Sequence, residues 1–379
     1  MSIYLDYNAS TPVDQEVLEA MFDVYRNNFG NADSRTHNEG NSAKQIVEKS
    51  REDVAGMLGV DKSEVFFTSG ATESNNIAIL GLYDYGIKKN KKHIITTAIE
   101  HKAVLEPCSE MIKKGFEVEI IQPNSSGAVE YSEVISKVRR DTLLVSVMHV
   151  NNETGIIQPV DEIGEALAAK EVLFHVDAAQ SCGKLVEELK NIKYDMLSIT
   201  AHKMYGPQGI GGLILRHKKG VRSSISPICF GGGQEGRIRP GTLPVPLICG
   251  FGKACELATK NYKKNKEIYQ EVRNNIFNIL QDENVEFLIN GNSKKSIPNT
   301  MNISFLGVDS EALMLASKQY CSLSNGSACT SHDYSQSHVL KAMNLTSDRI
   351  ESAIRFSWGN EVINYEMIRQ LGKIIKEFI

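Results

Sequence analysis

The chain has 379 residues, 41% of them hydrophobic and 23% charged, and a formal net charge of -4 at pH 7. This length exceeds one compact unit and gives each of two domains enough chain to bury a core. The mild acidity, with no basic run, argues against direct nucleic-acid binding. No apolar run approaches the ~20 residues of a membrane span, and residues 1–6 lack the charged segment and apolar core of a secretory signal. The seven cysteines, at 108, 182, 229, 249, 255, 321 and 329, are odd in number and form no C-x-x-C pair, which predicts reduced thiols in a cytoplasmic compartment.

Taken along the chain, residues 42–58 have helical character, and 65–68 form a short apolar run that reads as a strand. The run gives way to Ser69-Gly70-Ala71-Thr72-Glu73 and then to a second helical stretch. Backbone N–H groups at a helix start, with hydroxyls nearby, make a cradle for phosphate. A capping box built on Ser69 or Thr72 and the nearby glutamate would instead serve the helix alone.

Further apolar runs at 93–97, 118–121, 143–149 and 172–177 alternate with helical stretches such as 160–169. Alternation of this kind predicts a mainly parallel sheet covered by helices. The run at 172–177 is apolar up to Asp177, which places a carboxylate at the rim of the sheet, where ligands of open α/β folds bind. Asp177 suits two roles there: partner of the pyridinium nitrogen of pyridoxal phosphate (PLP), or cap of the next helix.

Near position 200 the sequence reads Ile199-Thr200-Ala201-His202-Lys203-Met204-Tyr205-Gly206-Pro207. A lysine amine, with an ordinary pKa of ~10.4, is a poor nucleophile unless its surroundings depress that value. Set between a hydroxyl residue, an imidazole and a glycine-proline break, Lys203 suits a Schiff base with an aldehyde cofactor; a solvated lysine in a glycine-rich turn is the alternative. Residues 211–215 read as a further strand.

After about Phe251 the character changes. A charged helical stretch at 253–282, a strand-like run at 301–305 and a last helix ending at 379 predict a smaller α+β domain joined by a long helix. Cys329 stands among small, turn-forming residues in Ser324-Asn325-Gly326-Ser327-Ala328-Cys329-Thr330-Ser331, which predicts an accessible thiol rather than a buried one. Arg355, in the strand-like Ile354-Arg355-Phe356-Ser357, suits a carboxylate gripped by two parallel hydrogen bonds, or a surface ion pair. Cys321, Cys329, His332 and His338 cluster in sequence but match no zinc spacing, so no metal site is expected.

From Tyr4-Leu5-Asp6-Tyr7-Asn8-Ala9 to Ile354-Arg355-Phe356-Ser357 these segments resemble the cysteine desulfurases among the PLP-dependent class V aminotransferases. The resemblance implies an α/β protein of PLP-dependent transferase fold type I. Its large domain, 14–252, would hold a mainly parallel seven-stranded sheet in which 211–215 runs antiparallel. Residues 1–13 and 253–379 would form the smaller α+β domain that carries the cysteine loop.

The resemblance also implies residue roles. Lys203 would be the Schiff-base lysine, Asp177 would face the pyridine nitrogen, Gln180 would bond the cofactor's phenolic oxygen, and His101 would stack on the ring and act in proton transfer. Ala71, Thr72, Thr200 and His202 align with phosphate-binding positions, and Thr242 with one supplied by the partner of a homodimer. Thr200 stands where serine is common, and Pro240 where a small residue is frequent. Asn152 would contact cofactor and substrate carboxylate, Arg355 would clamp that carboxylate, and Cys329 would take sulfur from L-cysteine as a persulfide.

The spacing from Cys329 to His338-Val339-Leu340 is similar to that of the longer-loop branch, which implies delivery to a sulfur-acceptor protein. Iron–sulfur assembly, tRNA thiolation and DNA phosphorothioation are the destinations implied. The chain stops at Ile379 without the tail by which some relatives engage an iron–sulfur scaffold, and the run from Arg239 to Leu247 is similar to the DNA-modification branch. A selenocysteine lyase or cysteine sulfinate desulfinase shares all but the sulfur-handling loop; a non-catalytic thiol or metal-binding scaffold is the reading from another class.

Overall fold

The computed structural model describes residues 2–326 and 336–378. Seven strands form the main sheet, in the spatial order Val65–Thr68, Gly211–Leu215, Met196–Thr200, Leu173–Asp177, Thr142–Met148, His93–Thr97 and Glu117–Ile121. Neighbours run parallel except at Gly211–Leu215, which is antiparallel to both strands beside it. The expected strands are present, with Thr142 and Glu117 each added at the start of theirs, Val172 lying just before its own and His149 just past the end of its own.

Every strand but Glu117–Ile121, at one edge, is buried along its whole length, as a sheet covered on both faces requires. Successive side chains then feed opposite cores: Val145, Phe174, Val176 and Leu197 join one cluster, and Leu144, Leu173 and Met196 the other. At the edge strand Val65–Thr68, the Arg51 guanidinium bonds both oxygens of buried Glu235, at 2.9 and 2.7 Å, and the Phe67 N–H donates to the same carboxylate at 2.6 Å. This pair fixes the strand that leads into the Gly70 turn.

A second core gathers Leu5, Met301, Ile303, Phe356 and Trp358 with the helix Tyr365–Phe378. It surrounds an antiparallel sheet of Ala353–Ser357, Thr300–Ser304 and Leu288–Ile289, and the N-terminal Ile3–Tyr4 pairs in parallel with Cys321–Ser322. The helix Val245–Asp282 joins the two cores: Val245, Phe251 and Ala254 pack into the first, and Tyr269, Val272 and Ile276 into the second. It begins well before the charged stretch at 253–282, because Pro246 is tolerated in a first turn, where N–H donors lack intrahelical acceptors. Among the described residues no helix is long and apolar enough to cross a membrane.

Glu100 closes the turn after His93–Thr97. Its Oε1 accepts from the Thr97 hydroxyl at 2.7 Å and the Met148 N–H at 2.9 Å, while Oε2 has no partner among the described residues. Complete burial pushes the carboxyl from its ordinary 4.5 up to about 8, against the two bonds that oppose the shift. The folded protein therefore keeps this proton over a range in which the unfolded chain has lost it. The stability so gained is full below about 4.5 and is lost as pH rises through about 8. Glu100→Gln, which keeps the acceptor and removes the ionisation, is expected to unfold in urea nearly as the parent does at about pH 5 and to be more stable than it by about 4 kcal/mol at about pH 8.5; an equal difference at both pH values would refute the assignment.

Candidate active site

The C-terminal ends of Leu173–Asp177 and Met196–Thr200 open into a cleft of about 460 Å³, a size that suits a cofactor with its substrate. Ala71 and Thr72 reach it from the turn after the edge strand, and Asp177, Gln180, Thr200, His202 and Lys203 from the rim of the sheet. His101, Asn152 and Arg355 complete its wall. Thr242 is exposed and does not line it within the chain. Cys329 lies outside the described residues, as does His332.

Gly70 ends the edge strand with φ 153°, and Gly211 crosses it so closely that a Cβ there would meet the Ile199 carbonyl oxygen at 2.5 Å and the Gly70 Cα at 2.7 Å. The Thr200 hydroxyl lies against the same turn. The helix Ala71–Leu80 starts here with no side-chain cap. Glu73 instead accepts from the Ser69 N–H at 2.5 Å and from Arg239 Nε at 3.1 Å. The reciprocal capping box is therefore missing, and the first N–H groups of the helix stand uncapped at the cleft wall.

Asp177, only 5% exposed, is held from two sides: Oδ1 accepts from the Ala179 N–H at 2.9 Å and Oδ2 from Asn75 Nδ2 at 2.8 Å. Asn75 lies one turn after Ala71 on the same helix face, a spacing that offered the only sequence signal for it. His101 caps the helix Lys102–Lys113, its Nδ1 accepting from the Ala103 N–H at 3.1 Å. Burial first, and the charge of Lys203 second, lower its pKa, which favours a neutral ring at the cleft.

His202 is pushed down to about 4 by burial, with Lys203 and Lys184 adding to the effect. Its Nδ1 is buried and has no partner among the described residues, a polar atom that a ligand would satisfy. Gln180 donates from Nε2 to the Asn8 carbonyl at 2.9 Å and accepts at Oε1 from Lys184 at 3.3 Å. Arg355, 4% exposed, donates from Nη2 to Asp6 Oδ1 at 2.5 Å and from Nη1 to the Asn152 carbonyl at 2.9 Å, while its buried Nε has no partner among the described residues. Asp6, Asn8 and Lys184 are thus contacts of the site to which the sequence assigned no role; their partners lie 349, 172 and 4 residues away, and only the last pairing is local.

Gly326, the last described residue before 327, lines the cleft. A Cβ there would sit 3.0 Å from Glu153 Oε2, the oxygen that also accepts from the Ser337 hydroxyl at 2.5 Å. Of the other residues in that sequence cluster, Cys321 is buried, its thiol pushed up to about 12, and His338 Nε2 is 3.0 Å from the Glu100 carbonyl oxygen.

The residues present fit PLP. Uncapped helix N–H groups, the Thr200 hydroxyl and the His202 Nδ1 suit its phosphate, Asp177 suits its ring nitrogen, and Lys203 would supply the amine.

The class-V aminotransferase family matches residues 3–367. The cysteine desulfurase IscS of Cronobacter sakazakii is 43% identical over 383 aligned residues, covering 99% of this chain and 94% of that protein. A solved NifS-like protein superposes with a TM-score of 0.90 at 37% identity, over 100% of this chain and 99% of its own. A structure of SspA in complex with cysteine gives 0.82 at 35% identity, over 95% and 99%. With a family match of this length over a fold and cleft of this kind, the chain belongs to the class-V aminotransferases.

Proposed function

We propose that this chain is a PLP-dependent cysteine desulfurase, converting L-cysteine and the Cys329 thiol to L-alanine and a Cys329 persulfide. The observation that carries the reading is the meeting, in one cleft, of Lys203, the doubly held Asp177 carboxylate and the Arg355 guanidinium. The named relatives, a cysteine desulfurase and a protein solved with cysteine, support the substrate.

Bound in the cleft, PLP supplies an electron sink for the substrate carbon that bears the amino group. The Arg355 fork and Asn152 hold the substrate carboxylate and so orient the β-carbon and its sulfur. The Lys203 amine moves a proton at the α-carbon, and the neutral His101 ring is placed to receive or return one. The Cys329 thiolate attacks the substrate sulfur, forming the S–S bond as the carbon–sulfur bond breaks; a proton then fills the β-carbon to give alanine. No outside oxidant or reductant is required.

The protein acts as a homodimer in the cytoplasm, with Thr242 reaching the phosphate of the partner's site and the persulfide passed to an acceptor protein. Iron–sulfur assembly, tRNA thiolation and DNA phosphorothioation are the candidate destinations.

The test is the absorbance spectrum of the purified protein, followed by addition of L-cysteine with assays of alanine and protein-bound persulfide. Lys203→Ala is expected to lose the visible PLP band and at least about 100-fold of turnover. Cys329→Ser is expected to keep the band and lose the persulfide; full cysteine turnover in that variant would sink the assignment of the sulfur acceptor, and a protein that PLP does not colour would sink the whole reading. Asn75→Ala, which leaves Asp177 one donor short, is expected to release PLP about tenfold more readily in dialysis, since a hydrogen bond to a charged group is worth about 1.5–3 kcal/mol.

A further inference from the structure

Lys184 follows Gly183 in the turn that runs from Asp177 through Gln180 to the helix Val186–Asn191. Gly183 has φ 76°, and a Cβ on it would lie 2.8 Å from the Cβ of Met204, so this turn is packed directly onto the residue after Lys203. The Lys184 ammonium donates to Gln180 Oε1 at 3.3 Å, and among the described residues no carboxylate pairs with it. The side chain lines a cavity of about 40 Å³ that Lys203 also lines. The other titratable groups facing that cavity are Asp14, Tyr7, Tyr205 and Tyr269, and the charges of Cys182 and Arg355 are also felt.

A half-buried ammonium with no carboxylate against it is held at a cost, and such groups gather at functional sites. Burial first, and the charge of Lys203 second, push it down to about 7. The bond to Gln180 has a directional consequence. With Oε1 taken by Lys184, the amide NH2 must point the other way; one of its hydrogens goes to the Asn8 carbonyl and the second remains for the cleft.

We propose that Lys184 is a positioning residue: its ammonium fixes the Gln180 amide with the NH2 turned toward the cofactor, and it places a second positive charge beside Lys203. The proposal rests on the reading of the cleft as a PLP site. A like charge close to the Lys203 nitrogen favours loss of a proton there, with or without the cofactor attached to it. Gln180, so oriented, offers a donor rather than an acceptor to the cofactor oxygen it faces.

The test is a pH titration of the visible absorbance of the PLP-loaded protein. In Lys184→Met the midpoint of the band change is expected to rise by about one pH unit. Lys184→Arg, which keeps charge and donor, is expected to restore most of the parent value, as a purely structural lysine would not require. Lys184→Gln supplies a second neutral variant should the methionine variant not fold, and the same rise is expected of it. A neutral variant that binds PLP and titrates at the parent midpoint overturns the proposal alone; a parent protein that takes up no PLP overturns the functional reading and the proposal with it.

Discussion

The site depends on one buried carboxylate. Asp177 ends a strand with neighbours hydrogen-bonded on both sides and apolar cores above and below, where an unsatisfied charge would be untenable. Two donors make it tenable: the Ala179 N–H, supplied by the turn itself, and Asn75, supplied by the helix after the Gly70 turn. The second donor requires that helix to stand at a fixed distance from the strand. The close crossing of Gly211 and Gly70, and the Arg51–Glu235 pair behind the edge strand, set that distance. The cradle suited to phosphate and the carboxylate suited to the ring are therefore positioned by the same contacts.

The other half of the site comes from the second core, and Arg355 is the joint. Its backbone N–H donates to the Ser324 carbonyl, its fork reaches Asp6 in the N-terminal segment and the Asn152 carbonyl in the large unit, and its strand is registered against Thr300–Ser304. Asn8 continues the joint, donating to the Asn152 carbonyl and accepting from Gln180 and Thr300. A change in how the two cores sit would move the substrate-carboxylate position relative to the rim of the sheet. The Val245–Asp282 helix, packed into both cores, opposes such a change.

The sheet was legible in the sequence because burial on both faces turns its strands into continuous apolar runs, with Asp177 marking where one of them stops. Gly211–Leu215 shows no such marker of direction; that it runs antiparallel came only from the family resemblance. The start of the long helix was missed for a related reason, since Val245–Gly252 is apolar and lies against the first core, while the charged face that signals a helix begins at Lys253. Lys203, Asp177 and Arg355 were visible as charges in apolar or glycine-rich settings. Asn75, Asp6, Asn8 and Lys184 were not, because each acts by holding a charged or amide group of another residue. For the first three that residue is a hundred or more positions away, and nothing in the local sequence marks the pairing.

Burial also decides the electrostatic character of the cleft. It drives His202 to about 4 and lowers His101, so both rings are favoured in the neutral form and serve as hydrogen-bonding groups rather than charges. Lys203 and Arg355 line the cleft, and Lys184, pushed down to about 7, lies on the neighbouring cavity that Lys203 shares; the carboxylates that meet them are Asp177 in the cleft wall and Asp6 on Arg355. Arg355 is already matched to Asp6, so a ligand carboxylate meets a guanidinium whose orientation is set in advance. Cationic side chains and uncapped helix N–H groups thus stand together at one end of the sheet, which favours phosphate, carboxylate and thiolate over neutral ligands. A desulfurase must collect all three of these anions in one place, and the same burial that neutralises the histidines limits how many fixed charges it needs to do so.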